Sequence, residues 1–512
     1  MWYTLLVAVL TGKDHSPVEK YCMNTHDYEH QAERFLIAFN EEHCEYGAGI
    51  KSSVDFAAIY RSYNKLFELD RVKSLIEGRS TRQERYLAQF AAFGFVEHSL
   101  HNLTEDIADR EARATIEWDG GEIPYRQACF LAANEPDRTR RRALEDRVAA
   151  AAEETIPLNA QRIHHMHQAA ASLGFSDSVE MCDDLAGLDL KYIESCASNL
   201  IEETAEVYRD LLESHLRDIG IAPAEATTTD YLFRRRGEEF DDLFPADVMV
   251  SRLHDSLSEL GIDMPSQPNV TLDLSDRPQK SLRAFCTPIR VPEDIRLVLR
   301  PRGGHEDYLV LFHEAGHAEH LAHVKPEVPF CYRYLGDDSV TEAFAFLLGQ
   351  LPRVRGWLNR RASAANADDY RALARLVRLH QIRKTAAKLL YELKLHRAAD
   401  LNACRAEYAE ILEKALFLRA KSANFLADTD DFFYSARYLR AWMLEVQLRA
   451  RLVEQFGPMW FTKREAGDSL KDFWAFGQEF TADELAQRLG YPGLQVEPLI
   501  EDILSDEDDA AR

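Results

Sequence analysis

The sequence of 512 residues predicts a mostly α-helical protein with a small β-sheet beside one central helix. Apolar residues recur at helical spacing along most of the chain, as in Ile201-Ala205-Tyr208-Leu212. Short segments of alternating apolar residues occur only between about residues 269 and 300. The apolar fraction of 46% and the aromatic fraction of 10% are typical of a globular protein with a large core.

Four segments follow from these patterns. Residues 1–25 form a poorly defined N-terminal segment, because the apolar run Trp2 to Leu10 lacks the basic flank and cleavage site of a signal peptide. Residues 26–265 are predicted to be a helical N-terminal region, and residues 266–500 a catalytic region that begins where prolines become frequent. Residues 501–512 form an acidic tail.

The catalytic region contains the predicted sheet and two helices important for function. Three segments are predicted strands: Asn269–Leu274, Arg283–Arg290 and Ile295–Arg300. A Gly303-Gly304 turn then leads into a helix from Glu306 to about His323. After a proline-containing loop, another helix is predicted to begin at Ser339.

Composition restricts the location and partners of the protein. The net charge of −25 argues against nucleic acid or an anionic membrane as the main partner. Eight scattered cysteines without a CxxC pair are typical of a reduced, cytoplasmic protein. No run approaches the roughly 18 to 20 apolar residues of a membrane helix. We therefore expect a cytoplasmic protein with neither kind of partner, and the oligomeric state is left open.

The most informative motif is His313-Glu314-Ala315-Gly316-His317, an HExxH sequence within a predicted helix. Positions i and i+4 share one face of a helix, so His313 and His317 can direct two imidazoles at one zinc ion. Glu314 lies beside them, where it can act on a water molecule. The motif therefore predicts a catalytic zinc centre with one Zn²⁺ per chain.

A catalytic zinc usually takes three protein ligands, and the first candidate for the third is His323. Peptidases with a third histidine at that spacing have a glycine that turns the chain, but His320 occupies the position here. In a continuous helix, His323 would lie about 80° or more around and roughly 9 Å along the axis from His317. We therefore expect His320 and His323 to lie on a solvated polar face.

Glu342 is the better candidate for the third ligand. It follows His317 by 25 residues, on the next predicted helix, which can pack across the first. Ser339-Val-Thr-Glu342 also matches a capping box, in which Glu342 would only close the start of its own helix. The nearby HExxH motif favours the ligand over the cap.

Such a centre can hydrolyse an acyl bond. Three protein ligands leave room for a zinc-activated water, from which Glu314 as general base takes a proton and passes it to the leaving amine. The oxyanion needs a hydrogen-bond donor, for which Tyr434 and Tyr438 are candidates. Tyrosines at i and i+4 are also common in helix packing, so that alternative stays open.

The stretch Leu311–His320, the position of Glu342 and the preceding strands resemble the thimet oligopeptidase and oligoendopeptidase F family of zinc metallopeptidases. Carboxypeptidase Taq and angiotensin-converting enzyme are more distant members of this type. The resemblance implies a two-lobed helical metallopeptidase with a deep cleft and an HExxH…Glu site at its floor. Carried over, His313, His317 and Glu342 are the metal ligands and Glu314 is the base.

Two other stretches extend the resemblance. Arg437–Glu445 is similar to the helix of the family that bears a tyrosine facing zinc, where Tyr438 matches the oxyanion donor of the converting enzyme and Tyr434 a substrate-contacting tyrosine of the thimet type. Ala284, Phe285 and Cys286 match the strand that pairs with the substrate backbone, although an ordinary edge strand is the alternative. The chain departs from the family at residues 427–431, which contain no histidine where one usually precedes the reactive tyrosine.

These observations predict a cytoplasmic zinc metalloendopeptidase or oligopeptidase that hydrolyses short peptides. A carboxypeptidase or dipeptidase with the same kind of site is an alternative. A catalytically silent homologue that binds peptides is a third, which the missing histidine favours and the complete HExxH…Glu set opposes.

Overall fold

The computed structural model describes residues 25–362 and 366–505. The N-terminal segment up to residue 24 and the acidic tail from residue 506 lie outside the described residues. The predicted mostly helical fold is confirmed, with small sheets only. The helices before residue 265 are α1 (Thr25–Gly47), α2 (Phe56–Ser62), α3 (Leu69–Gly78), α4 (Arg82–Arg113), α5 (Tyr125–Asn134), α6 (Arg138–Ala152), α7 (Ile156–Ser172), α8 (Ser178–Ala186), α9 (Leu190–Glu203), α10 (Ala205–Asp218), α11 (Thr228–Arg235) and α12 (Met249–Glu259).

The remaining helices are α13 (His305–Ala322), α14 (Phe330–Tyr334), α15 (Asp338–Gly349), α16 (Arg355–Arg361), α17 (Ala367–Arg397), α18 (Cys404–Leu416), α19 (Tyr434–Phe456), α20 (Arg464–Trp474), α21 (Ala482–Arg488) and α22 (Glu497–Leu504). The HExxH helix is thus α13, and it ends one residue before the predicted His323. None of the described helices combines the length and the apolar character that a membrane crossing requires.

One β-hairpin lies within residues 26–265, the region predicted to be helical. Strands β1 (Thr115–Trp118) and β2 (Gly121–Pro124) pair antiparallel across a two-residue turn. Asp119 and Gly120 in that turn have φ values of 52° and 78°, the left-handed conformation that two-residue hairpins require. The hairpin packs on α5 and α6 in a small separate core.

The predicted three-stranded sheet is present between residues 270 and 298. Its strands are β3 (Val270–Asp273), β4 (Phe285–Arg290) and β5 (Asp294–Val298), in the order β3-β5-β4. β3 runs parallel to β5 and β4 runs antiparallel to it, with Cys286 opposite Leu297. β4 is therefore an edge strand, and it packs against α13.

Helices α13 and α15 pack antiparallel at very short range because glycines lie at their crossing. A Cβ atom on Gly316 would come within 2.6 Å of the Ala345 Cα and 2.8 Å of the Phe344 carbonyl oxygen. Farther along, a Cβ on Gly349 would approach the Cβ of His313 to 3.1 Å. This close packing brings the side chains of the HExxH motif next to those of α15.

A single large buried core includes residues from both sides of position 265, such as Leu212 and Phe312. The predicted boundary at that position stays a prediction. A cavity of ≈ 1420 Å³ is lined by residues of both predicted regions, among them His43 on α1, Thr229 on α11 and the HExxH residues. The cavity reaches the site described next, so its walls are the surfaces that a ligand of that site would contact.

Candidate metal centre

His313, His317 and Glu342 lie together at the cavity, as the sequence predicts. Their ligand atoms are all within 4.8 Å of one another, and no other group of three or more such side chains occurs in residues 25–362 and 366–505. Oε2 of Glu342 is 3.4 Å from Nε2 of His313 and 3.6 Å from Nε2 of His317. Two imidazole nitrogens and one carboxylate oxygen are a donor set that suits a metal ion such as Zn²⁺.

The carboxylate of Glu342 fits a metal ligand. Its Oε1 accepts a hydrogen bond from the Tyr434 hydroxyl at 2.7 Å, whereas Oε2 is buried without a hydrogen-bond partner. A buried carboxylate oxygen without a partner is costly, and a metal ion between the imidazoles would satisfy it. Burial alone raises the pKa of Glu342, but the imidazoles of His317 and His313 hold it well below its usual range.

The capping alternative for Glu342 does not hold in the structure. Helix α15 begins at Asp338, and Asp337 rather than Ser339 is the N-cap, accepting a hydrogen bond from the Ser339 amide. Glu342 therefore lies in the interior of α15. Its carboxylate points across the crossing to α13 instead of back to its own helix start.

The expectation that His320 and His323 lie on a solvated face is wrong. His320 is fully buried, because α15 and the segment at Gly477 pack over that side of α13. His323 caps the C-terminus of α13, half-buried, and its Nδ1 lies 2.8 Å from the carbonyl oxygen of Glu319. Neither histidine belongs to the candidate metal-binding group, which consists of His313, His317 and Glu342. The prediction that His323 cannot join this group agrees with the structure.

His320 instead takes part in a hydrogen-bond chain that orients His317. Nε2 of His320 is 3.3 Å from the Gly477 carbonyl oxygen, and its Nδ1 is 3.1 Å from the Thr341 hydroxyl. The same hydroxyl lies 2.9 Å from Nδ1 of His317. Burial lowers the pKa of His320 to about 3, so its ring is neutral and has one donor and one acceptor nitrogen.

The direction of this chain follows from its end at a carbonyl, which can only accept. His320 must donate from Nε2, so its Nδ1 accepts the hydrogen bond from the Thr341 hydroxyl. The oxygen of Thr341 in turn accepts from Nδ1–H of His317. Nδ1–H of His317 is thus held by Thr341, and Nε2 is the nitrogen directed at Glu342 and available to a metal ion.

Glu314 is held beside the metal-binding group by the edge strand. Its Oε2 accepts a hydrogen bond from the backbone amide of Cys286 at 2.9 Å. Burial raises the pKa of Glu314, and the charges of His313 and His317 oppose that rise. The amide of Cys286 is thus bonded within the protein, although Cys286 lines the cavity together with Ala284 and Phe285.

The two tyrosines differ in their surroundings. The Tyr434 hydroxyl is bonded to Glu342, whereas the described residues offer no hydrogen bond to the hydroxyl of Tyr438, which also lines the cavity. The rings meet edge to face at 4.9 Å. Burial raises the pKa of both phenols, so both remain protonated donors.

The aspartates in place of the family histidine have partners away from the metal-binding group. Asp428 accepts a hydrogen bond from Tyr408 at 2.9 Å, and Asp430 accepts one from Lys388 at 2.8 Å. Asp431 is bonded to Arg162. These contacts attach the segment before α19, which presents Tyr434, to α7, α17 and α18.

Thr341 and the Cys286 amide have roles that the sequence alone does not predict. Thr341 immediately precedes Glu342, and His320 follows His317 by three residues, so helical spacing indicates that the two histidines are neighbours on α13. No sequence pattern indicates that a hydroxyl from another helix lies between them. The amide of Cys286 carries no side-chain signature at all.

Comparisons with known proteins support the fold. No protein-family model matches the chain, and no curated protein matches it. A solved structure described as a "putative oligoendopeptidase F" from Bacillus anthracis str. Ames is similar, with a TM-score of 0.61 and 16% sequence identity, over 96% of this chain and 87% of that one. The chain therefore has the fold of that protein, as the resemblance of its motifs to oligoendopeptidase F predicts.

Proposed function

We propose that this protein is a zinc metallopeptidase that hydrolyses peptide bonds of short peptides bound in the cavity. The observation on which the proposal rests is the convergence of His313, His317 and Glu342 within 4.8 Å, with Glu314 adjacent. The shared fold with an oligoendopeptidase F-type protein supports the same reaction class. Bound at these ligands, zinc supplies Lewis-acid activation of water and of the scissile carbonyl.

Glu314 is the proposed general base. Its Oε1 is left for the attacking water, because Oε2 is occupied by the Cys286 amide. Glu314 takes a proton from the water and passes it to the nitrogen of the leaving amine. The fixed hydrogen bond to the strand removes rotational freedom from the carboxylate and keeps it on the side of α13 that faces the cavity.

Tyr438 is the proposed donor to the oxyanion, and Tyr434 is proposed to orient Glu342. A phenol with no partner among the described residues can donate to a carbonyl oxygen as negative charge develops there. The Tyr434 hydroxyl is already committed to Oε1 of Glu342. The two tyrosines therefore divide between stabilising charge on the substrate and positioning a ligand.

The edge of β4 is the proposed contact for the peptide backbone. Ala284 and Phe285 are the residues for this contact, since both line the cavity and β4 has β5 on one side only. An extended peptide can add to such an edge by main-chain hydrogen bonds. The Cys286 amide, predicted from sequence for the same role, is instead assigned to Glu314.

The proposed substrates are short peptides, and the proposed location is the cytoplasm. A cavity of ≈ 1420 Å³ has room for a peptide of several residues and not for a folded protein domain. The seven cysteines within the described residues are free thiols, which suits a reducing compartment.

Metal content and a library of quenched peptides test the proposal together. Purified wild type should contain about one zinc per chain and cleave members of the library. Glu342→Ala should lose zinc, His323→Ala should retain it, and Glu314→Gln should retain zinc but lose cleavage. Zinc retained in Glu342→Ala would remove that ligand, and unchanged cleavage by Glu314→Gln would remove the base. If the wild type contains zinc but cleaves no peptide of the library, the alternative of a catalytically silent, peptide-binding homologue would be favoured.

A further inference from the structure

The cavity contains an arginine whose charge is not matched by a carboxylate. Arg353 follows the end of α15 and lines the cavity, and its Nε is buried without a hydrogen-bond partner. Among the described residues no carboxylate forms an ion pair with it, and the ionisable side chains that act most on its charge are Tyr370, Arg378, Tyr231 and Arg235. A partly buried guanidinium without a counter-charge loses hydration that no carboxylate of the described residues replaces, so an anion from outside the chain is a fitting partner.

The two neighbouring arginines, Arg235 and Arg378, have carboxylate partners that Arg353 lacks. Arg235 is paired with Glu306, and Arg378 is paired with Asp502 at 2.6 Å. Arg378 nevertheless keeps its Nη2 buried without a hydrogen bond, although Glu445 lies 3.7 Å from it. Arg353 and Arg378 thus each have one nitrogen without a hydrogen bond, and both side chains line the same cavity.

The environment of Arg353 contains a further unpartnered polar group. The hydroxyl of Tyr370 is buried without a hydrogen bond, and the nearby charge of Arg353 lowers the pKa of this phenol against the effect of burial. A guanidinium with a fixed fork of donors is the protein group best suited to a carboxylate. The two arginines at the cavity wall, each with a donor that lacks a hydrogen bond, indicate a binding site for a planar oxyanion.

The approximate distance between the Arg353 guanidinium and the metal-binding group follows from the packing of α13 on α15. Gly349 lies against His313, and Arg353 comes four residues later. One further helical turn and the side chains put the guanidinium on the order of 10 Å from the metal-binding group. An extended peptide rises about 3.4 Å per residue, so this distance corresponds to about three residues.

We propose that Arg353, assisted by Arg378, binds a carboxylate of the peptide substrate about three residues from the scissile bond. This inference rests on the proposed peptidase function and adds a substrate class, peptides with an acidic group at that spacing. The carboxylate comes either from the C-terminus of the peptide or from an Asp or Glu side chain. With the first source, the enzyme selects a cleavage site by its distance from the C-terminus of the peptide. With the second, it selects a cleavage site by the position of an acidic residue.

Matched peptide pairs distinguish the sources. One series carries a C-terminal acid or its amide with the cleaved bond two to five residues from the end. The other carries Asp or Asn at the same internal positions, with the C-terminus amidated. Wild type should show a kcat/KM ratio of about tenfold or more for acid over neutral peptide at a spacing near three residues, in one series or in both. Arg353→Gln should reduce the ratio to near one, and Arg353→Lys should retain part of it.

Arg236→Gln is the control, because Arg236 is an exposed arginine directly after Arg235, paired with Glu238 and outside the cavity lining. It should keep the wild-type ratio. Thermal unfolding of Arg353→Gln should occur no lower than that of the wild type, since the substitution removes a charge without a carboxylate partner. If Arg353→Gln fails to fold, the wild-type ratio and Arg353→Lys decide the matter.

Binding of fluorescent acid and amide peptides to the Glu314→Gln protein separates this subsite from the catalytic proposal. One outcome is that the wild type cleaves no peptide, but peptides with an acid bind more tightly than amides and Arg353→Gln abolishes this preference. That outcome would retain the subsite and reject the peptidase. Cleavage with acid-to-neutral ratios below about twofold at every spacing would retain the peptidase and overturn the subsite. A ratio unchanged in Arg353→Gln would also overturn it.

Discussion

The Thr341 hydroxyl lies 2.9 Å from Nδ1 of His317 and thereby fixes which nitrogen of that ring faces Glu342. The contact joins α13 to α15 through a residue adjacent to the proposed third ligand. His320 and the Gly477 carbonyl continue the chain and determine its direction.

Thr341→Val should therefore weaken zinc binding by about 10- to 100-fold, because His317 loses the acceptor that sets its tautomer. Thr341→Ser keeps the hydroxyl and should remain within about threefold of the wild type. Competition with a chromophoric chelator measures the affinity. Equal zinc affinity in Thr341→Val and wild type would show that this hydrogen bond does not control His317.

Substitution of each tyrosine at the start of α19 by phenylalanine should affect a different property, catalysis for Tyr438 and zinc binding for Tyr434. Tyr438→Phe should lower kcat by about 10²- to 10³-fold with zinc content unchanged, since it removes only a donor to the oxyanion. Tyr434→Phe should weaken zinc binding by about 10-fold or more, because Oε1 of Glu342 loses its partner. Steady-state kinetics and metal titration on the same preparations measure both effects, and a reversed pattern would exchange the two roles.

Gly316→Ala should separate α13 from α15. The added methyl would meet the backbone of Ala345 and Phe344 at less than 3 Å, so we expect a loss of about 1–3 kcal/mol in the free energy of unfolding of metal-free protein. Zinc affinity should fall as well. Gly78→Ala at the end of α3 is the matched control, because a Cβ there meets nothing within 4 Å. Urea unfolding measures the stabilities, and equal effects of the two substitutions would contradict the tight crossing.

Asp337 should make stability depend on pH at the start of α15. Burial alone raises its pKa, but Arg440 and the amides of Ser339 and Ala482 lower it to about 2. Because the folded pKa lies below the unfolded value of 3.8, Asp337 stabilises the fold above pH 4 and loses this effect as pH falls through 2. The shift corresponds to about 2.5 kcal/mol, of which about half remains at pH 3.

The free energy of unfolding of Asp337→Asn should thus fall short of the wild type by more at pH 6 than at pH 3. Urea unfolding at the two pH values measures the difference. Asp184→Asn removes an exposed ion pair with Arg79 and should cost less than about 0.5 kcal/mol at either pH. A deficit for Asp337→Asn that stays constant with pH would contradict the lowered pKa.

Helix period and motif spacing were enough to predict the mostly helical fold, the three strands near α13 and the grouping of His313, His317 and Glu342. The pairing of His313 with His317 depends on local chain geometry, since residues four apart on a helix share a face whatever packs against it. Glu342 was predicted from its spacing after the motif, and its place beside the histidines depends on the crossing of α13 and α15. The β1–β2 hairpin escaped the same reasoning, because its strands are only four residues long and lie among helices.

Tertiary packing decided the rest of the site. His320 has the same sequence context whether α13 faces water or α15, and only the close crossing at Gly316 and Gly349 buries it. The hydrogen bond from the Cys286 amide to Glu314 and the missing counter-charge of Arg353 likewise join positions that no local pattern connects. The sequence by itself thus determined which side chains could bind zinc. Tertiary structure decides which groups orient these side chains and which charges in the cavity lack a partner. Both depend on burial and hydrogen bonding, and these arise only when distant segments pack together.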